Sequence, residues 1–577
     1  MIGNETFRGN PVKLDISRSK YHAEPVKSGT FKAGELVPFF VNQDIMPASS
    51  YKVRLRSLIR GSTPVGVPMD NLYLDCFYFF VPNELILSRQ SMSPNVNDSN
   101  HSWAAIMGAQ DNLLNMPLPS SDASVPKMQI TNLSSAVTLG GFWDWTGQCL
   151  FPKTGPVNVN PLGFLAYCKV WNDFFRDPNG SMNPVSYSID SGGYVSISGG
   201  AFSADQEGTF LNSYSLLPVC RFHGYFGSAL PWPQRNSTSV TIPVGESAPI
   251  GFTSDGLPNQ DIAGAGNHLD LTISSASLPS TGGDAYLSTP SSTSSLPNGT
   301  FLKNGKLVNL FADLSASAGI TVNRFRQLVQ EQRWFEALSR SGNNTLAELT
   351  SGMFNVTPPA GSAHRAEYLG SCRHVLNVIQ VNNTAGNNTS SEKQSSLGST
   401  GSFMASLNDD FMFSKSFTSW GVILGLACVR CDDTFHQGIE RQYTRFTKFD
   451  YYWPQFANLG EMPVKVMELY ATGDKSVDDT VFGYQEYGAE YRMMQNHVCG
   501  LLRPGNSLDY WTYTNQFSAA PTLKSFLDGR GLVSNVDRTL QVSSTAAGFQ
   551  FVGQFATEID YVLPMPTYSI PGLVDHH

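Results

Sequence analysis

Two cysteines in the stretch Cys428-Val-Arg-Cys431, with His436 five residues further on, are the clearest metal- or redox-capable set in the chain. Zinc takes about four nitrogen, sulfur or oxygen ligands, and no second Cys-x-x-Cys or His-x-His lies near this one. The pair also falls in WGVILGLACVRC, an apolar run that reads as a strand. Positions i and i+3 of a strand face opposite sides. The two sulfurs therefore cannot converge, and they read as ordinary buried thiols. The terminal Asp575-His576-His577 is the other metal-capable set and reads as a solvated end. The acidic residues are dispersed, with no pair standing out as a glycosidase dyad. No phosphate loop, dinucleotide fingerprint or nucleophile elbow occurs. No catalytic, cofactor or metal residue is assigned, and the chain reads as a non-enzyme.

Cationic residues offer a second kind of chemistry. In SYKVRLRSLIR, Lys52, Arg54 and Arg56 alternate with Val53 and Leu55, with Arg60 beyond. A strand would place the three cations on one face. Such a row either meets phosphates, with affinity gained by counterion release, or is solvated and ion-paired. In GIERQYTRFTKFD, Arg441, Tyr443 and Arg445 alternate, with Lys448 close by. Arginine interleaved with tyrosine suits single-stranded nucleic acid, where bases stack on aromatic rings and cations follow the backbone. An interface or surface ion pairs would use the same residues. The aromatic run FDYYWPQF supplies Tyr451, Tyr452, Trp453 and Phe456, and Trp232 lies in ALPWPQ. These five are either subunit core or anchors between subunits, where Trp and Tyr concentrate binding energy.

The elements that must position these groups are mainly strands. The chain has 577 residues, only 15% of them charged, 12% aromatic, with 51 Gly and 34 Pro. Such a composition belongs to an all-β protein with long loops. A net charge of −9 excludes a uniformly basic nucleic-acid binder but not a local basic surface. No apolar run reaches the ~18 residues that span a bilayer. The start, MIGNETFRGNPVKLD, lacks the apolar core of a signal peptide, so Sec export is not expected. Eight scattered cysteines suit a reducing compartment rather than a disulfide scaffold.

Residues 1–32 read as a basic N-terminal arm. Residues 33–235 and 303–577 read as the core, and 236–302, which holds no Lys or Arg, as a surface-projecting insertion. Helices are expected in NPLGFLAYCKVWNDFFRDP, capped by Asn160, in TVNRFRQLVQEQRWFEALSRSG, and in TLAELTSGMF. A polar loop is expected over 381–402. Beyond the cysteine strand, further strands are expected in RFTKFDYYWP, VKVMELYAT and VFGYQEYGAEYRM. Strands at both ends should pair across the chain. The stretch NLYLDCFYFFVPN is apolar on both faces: Leu72, Leu74, Cys76, Tyr78 and Phe80 on one, Tyr73, Asp75, Phe77, Phe79 and Val81 on the other. One face should fill the barrel. The other needs a cover, favoured to be the protein's own loops and helices, and Asp75 needs a partner.

Several stretches in consistent order resemble the major capsid protein of the Microviridae, in the gokushovirus branch of small phages. They are TFKAGELVPFFVNQDIMPASSYKV, PMDNLYLDCFYFFVPNEL, WNDFFRDPN, YFGSALPWPQ, FADLSASAGITVNRFRQLVQEQRWFE, AEYLG, KSFTSWGVILGLACVR, FDYYWPQFANLGE, VFGYQEYGAEYR and YSIPGLVDH. The cysteines 428 and 431 depart from the family pattern, and 177–216 and 236–302 do not match motif by motif. The resemblance implies an eight-stranded antiparallel jelly-roll β-barrel with long insertions and a few α-helices. It implies a T=1 icosahedral shell of identical subunits, assembled in the bacterial host cytoplasm around a circular single-stranded DNA genome. Other implied partners are a scaffold or DNA-pilot protein and a host-cell surface receptor reached through the insertion, with no membrane insertion. The aromatic loops and Ser/Thr/Asn texture also fit a carbohydrate-binding phage adhesin or lectin, with a glycoside hydrolase as a weaker third reading.

Overall fold

A computed structural model describes residues 16–87, 103–107, 124–130, 140–148, 157–177, 179, 184–190, 192–198, 215–234, 250–252, 302–303, 306–307, 310–312, 322–340, 346–356, 365–382, 400–457 and 459–568. The chain divides into two units, Met1–Arg235 with Leu338–His577, and Asn236–Ala337.

The first unit is built on two antiparallel sheets. Numbered in chain order, their strands are β1 (Ser19–Ala23), β2 (Val26–Phe31), β3 (Val37–Ile45), β4 (Ser49–Gly61), β5 (Leu72–Pro82), β6 (Glu367–Val375), β7 (Val378–Asn382), β8 (Thr400–Phe417), β9 (Gly421–Cys431) and β10 (Phe551–Leu563). The larger sheet runs β1–β10–β4–β8–β7, with β2 also on β10; the smaller runs β6–β5–β9–β3. Both β1 and β2 pair with β10, so the first and last strands meet as expected. Residues 19–31, within the stretch read as an arm, are thus sheet strands.

Alternation explains how the sheets face each other. Along β4, Tyr51, Val53, Leu55, Ser57 and Ile59 are buried, while Lys52, Arg54, Arg56 and Arg60 are exposed. The buried set meets β3, β5 and β9 across the gap. Phe39 stacks on Phe555 with ring centroids 4.6 Å apart, and the Tyr78 hydroxyl lies 3.1 Å from Thr557 Oγ1.

Strand β5 is central and covered on both sides. Leu72, Leu74, Cys76, Tyr78 and Phe80 enter the core between the sheets. Phe79 and Val81, with Phe77 at the margin, enter a second core on the opposite side. The cover there is the chain's own. A helix, α1 (Leu162–Val170), continues as a π-turn over Trp171–Phe175. Asn160 opens it, its Oδ1 accepting from the Leu162 amide at 3.0 Å. The helix is buried almost all round, and Leu165, Cys168, Trp171 and Phe175, at helical spacing, are all buried. Phe174 and Phe175 pack on Phe79 and Phe77 at 4.7 and 5.3 Å. The same alternation separates the two cysteines of β9: Cys428 enters the outer core and Cys431 the inter-sheet core.

One charge interrupts this apolar strand. Asp75 is 1% exposed. Arg373 of β6 lies directly opposite it in the ladder, and Arg430 of β9 lies on the diagonal. Asp75 Oδ1 accepts from Arg373 Nε at 2.5 Å; Oδ2 accepts from Arg373 Nη2 at 3.1 Å and from Arg430 Nε and Nη2 at 3.1 and 2.5 Å. Both guanidinium groups sit over the Phe222 ring, at 4.6 and 4.1 Å. The bidentate fork explains why arginine rather than lysine serves here.

In the second unit the described strands are short. Ile250–Phe252 pairs with Leu310–Ala312, and Leu302–Lys303 with Lys306–Leu307. The unit extends to Ala337, further than the expected insertion. Helix α2 (Val322–Arg340) lies within its expected span; Leu328 and Leu338 are buried and Phe325 is half exposed. Helix α3 (Leu346–Phe354) follows as expected. Strands β7 and β8 run into the expected loop 381–402 as far as Asn382 and from Thr400.

The Asp75 cluster yields a stability order. Asp75→Ala strands the largely buried Arg430 and should cost about 3–5 kcal/mol, as breaking a buried ion pair does. Arg373→Met leaves Asp75 bonded to Arg430 and removes a half-exposed group, so it should cost clearly less. Chemical denaturation of the unassembled protein measures both, and an equal loss for the two variants would contradict this account.

Candidate assembly and nucleic-acid interfaces

The outer face of β4 presents its cations in a row, but not as free charge. Arg56 is held by three carboxylates: Glu24 at 3.0 Å, Glu558 at 2.8 Å and Asp409 at 3.5 Å. Arg54 stands opposite Glu558 on β10, and Lys52 opposite Asp560. Asp560 lies below the usual carboxylate range because it accepts from His22 and sits near Lys20 and Lys52. Glu558 and Asp560 thus balance the β4 row. A phosphate approaching Arg56 must displace carboxylates, whereas Lys52, Arg54 and Arg60 remain exposed.

The second basic set is placed otherwise than its alternation implies. Arg441–Thr444 and Lys448–Asp450 form 3-10 turns rather than a strand. Asp450 Oδ2 accepts from the Phe446 and Thr447 amides at 3.0 and 2.7 Å and from Thr447 Oγ1 at 2.9 Å, folding the chain back on itself. Pro454 opens a third turn, Pro454–Phe456. The expected strand RFTKFDYYWP is therefore a string of turns. VKVMELYAT is a strand only at Val464 and Lys465, the end of Glu461–Lys465, and VFGYQEYGAEYRM only in Val481–Glu486, each strand followed by a 3-10 turn.

These turns direct two of the three cations inward. Arg441 donates to the Pro463 carbonyl at 2.9 Å and lies 3.5 Å from Glu468. Glu468 also accepts from the Tyr225 hydroxyl at 2.8 Å, and burial pushes its carboxyl above the usual range. Arg445 has a 9% exposed side chain, pairs with Glu490 at 3.2 Å and lies over the Tyr491 ring at 4.3 Å. Both serve the turn region's own structure. Lys448 alone of the three is exposed, its Nζ 5.0 Å from the Phe449 ring centre.

The aromatics of this region face outward. Tyr451, Tyr452 and Trp453 are 52%, 42% and 46% exposed, and Phe456 and Trp232 are half-buried. Within the subunit, then, the first three are not core. Their backbone is nevertheless fixed. Trp453 Nε1 donates to the Lys448 carbonyl at 2.8 Å, and Tyr452 packs on Tyr487 and Tyr491 at 5.4 and 5.9 Å. Gly488, at φ 78°, leaves the Tyr452 ring room that a Cβ would take.

Their neighbours Tyr443, Phe446, Phe449, Leu459 and Met494 are more exposed still, Phe446 at 87% and Met494 at 94%. A folded monomer rarely leaves so much apolar surface together. A second exposed apolar set lies on the outer face of the larger sheet: Ile379 of β7 faces Phe403 of β8, with Leu407 and Phe411 further along. The sequence reading missed it. The signal was the alternation of Phe403, Leu407 and Phe411 with buried Met404 and Ser406, which puts apolar residues on both faces of β8. The Asp575–His577 end and most of 236–302 lie outside the described residues.

Known proteins place this architecture. The family model "Capsid protein (F protein)" matches residues 11–573. The chain is 29% identical to capsid protein VP1 of Chlamydia phage 1, covering 97% of this chain and 96% of that one. It is 30% identical to capsid protein VP1 of Bdellovibrio phage phiMH2K over the same shares, and 31% identical to that of Spiroplasma virus 4 over 98% and 96%. These matches favour a capsid protein over the adhesin and hydrolase readings and agree with the resemblance to Microviridae. This chain belongs to the phage capsid F protein family as a major capsid protein.

Proposed function

We propose that this capsid protein closes into a T=1 icosahedral shell around a circular single-stranded DNA genome, and that the exposed aromatic turns from Tyr443 to Leu459 are a principal contact between its copies. The observation that carries the reading is that Phe446, Phe449, Tyr451 and Trp453 are solvent-facing in a single subunit yet held by a hydrogen-bonded turn network. Closed shells need surfaces that meet different surfaces of their neighbours. An aromatic side chain buries about 150–250 Å², so at ~25 cal/mol per Å² each contributes up to about 4–6 kcal/mol before entropy is subtracted. Because the turns are already ordered, association loses little further backbone freedom.

The sandwich reads as an elaborated jelly roll. Setting aside the edge strands β1 and β7 leaves eight. In chain order, the first, eighth, third and sixth make one sheet, and the second, seventh, fourth and fifth the other. This order supports the jelly-roll reading, with Asn236–Ala337 inserted between the fourth and fifth of the eight.

For the genome, Lys52, Arg54 and Lys448 are the favoured contacts among the expected six, since Arg56, Arg441 and Arg445 are engaged by carboxylates. The Lys/Arg-free segment 236–302 cannot attract DNA by charge, which supports an outward, host-contacting role. A scaffold or DNA-pilot protein fits an aromatic surface that must stay covered before assembly.

Negative-stain microscopy tests the assembly. The native protein, co-expressed with its phage partners, should give uniform spherical particles. Tyr451→Ser with Trp453→Ser should leave folded subunits that form none; abundant particles from that double variant would remove these turns from the contact. Lys52→Gln with Arg54→Gln should lower the DNA content of particles, while Arg56→Gln should lower subunit stability with less effect on DNA. The reverse pattern would exclude the β4 row as a genome contact. Deleting 236–302 should leave particles that assemble but adsorb poorly to host cells, and failure to assemble would count against a purely external role.

A further inference from the structure

We infer that Cys372, His374 and Asp410 form a zinc site that clips the edge of one sheet to the other. Cys372 and His374 stand two residues apart on β6, so their side chains share a face. Asp410 comes from β8, in the opposite sheet. His374 Nε2 and Asp410 Oδ2 are 2.5 Å apart. The imidazole nitrogen, the carboxylate oxygen and the Cys372 sulfur all lie within 4.8 Å of one another. Zinc bonds of about 2.0–2.3 Å in tetrahedral geometry set ligand atoms about 3.3–3.8 Å apart. That spacing lies between the 2.5 Å contact and the 4.8 Å limit of the set.

The donor set selects the metal. Calcium and magnesium prefer all-oxygen sites, whereas thiolate, imidazole and carboxylate together suit zinc. His374 and Asp410 have side chains 25% and 27% exposed, which leaves an entry path and a fourth position for water. Cys76, directly opposite Cys372 in the ladder and fully buried, backs the strand from the core side. The site differs from the Cys428/Cys431 pair, whose sulfurs enter separate cores.

Its position gives it a role. β6 is an edge strand of the smaller sheet and β8 an interior strand of the larger. A shared ion ties them at a point where the smaller sheet has no further strand to hold it. Binding only the folded state, the ion stabilises it by mass action.

The test uses the full chain, expressed with added Zn2+ and dialysed against zinc-free buffer. Elemental analysis should find about one zinc per chain, and Zn2+ should raise the melting temperature. Cobalt substitution should give a thiolate-to-metal charge-transfer band with the visible spectrum of a tetrahedral ion. Cys372→Ser and His374→Ala should each lose zinc, the cobalt band and the thermal shift, while the Cys428→Ser/Cys431→Ser variant keeps all three. No bound zinc in the native chain, zinc kept by both ligand variants, or a cobalt complex without a thiolate band would each overturn the site. The cobalt spectrum of the native protein decides the matter even if a variant fails to fold.

Discussion

A carboxylate buried at the centre of a sheet must be neutralised where it stands, and Asp75 meets that demand with two arginines from two different strands. An isolated buried charge costs many kcal/mol in a low-dielectric interior. The ladder therefore tolerates little slippage. Moving β6 by one residue turns Arg373 to the other face and leaves Asp75 half-paired. The same holds for β9 and Arg430. One acidic residue thus ties the register of three neighbouring strands, which come from distant parts of the chain. The flanking apolar side chains supply most of the favourable free energy, but they are interchangeable in a way the ion cluster is not. Phe222, lying under both guanidinium groups, links that register to the segment after α1.

A capsid subunit faces a conflict between staying dissolved and associating. Here the two demands fall on different elements. The sandwich and α1 hide the apolar faces of β5 and β9 inside one chain, so the strands most prone to aggregate are never presented. The exposed aromatics lie on turns, braced by Asp450 and by the Arg445–Glu490 pair. Turns of this kind have no row of free backbone amides and carbonyls, so they do not template strand-to-strand association as an exposed edge would.

Much of the architecture was legible because it rests on short periods. The two faces of β5, the exposed cations of β4 and the opposed cysteines of β9 follow from residues pointing alternately up and down. The cap at Asn160 and the span of α2 follow from local helix chemistry. What could not be read depends on distance along the chain. Arg373 and Arg430 are far from Asp75 in sequence, and nothing local marks them as its partners. The stretch from Arg441 to Phe456 misled for a different reason. Arg441, Tyr443 and Arg445 imitate a strand period, but Asp450 captures three donors and the chain turns instead. The carboxylates around Arg56 were equally hidden, since Glu24, Asp409 and Glu558 arrive from three separate strands or their ends.

The pairing of the first strands with the last has a temporal meaning. β10 lies between β4 and the pair β1 and β2, so the larger sheet has a gap until residues 551–563 exist. At about 5–20 residues per second, translation from the end of β4 to β10 takes on the order of half a minute to a minute and a half. Throughout that interval β4 has an open side and the inner core is incomplete. The aromatic turns, made about a hundred residues earlier, are present on a chain whose scaffold cannot yet close. Closure of the larger sheet thereby waits for β10, the strand that joins β4 to β1 and β2. A chain without that strand would leave β4 with an open side and β1 and β2 with no partner in the sheet.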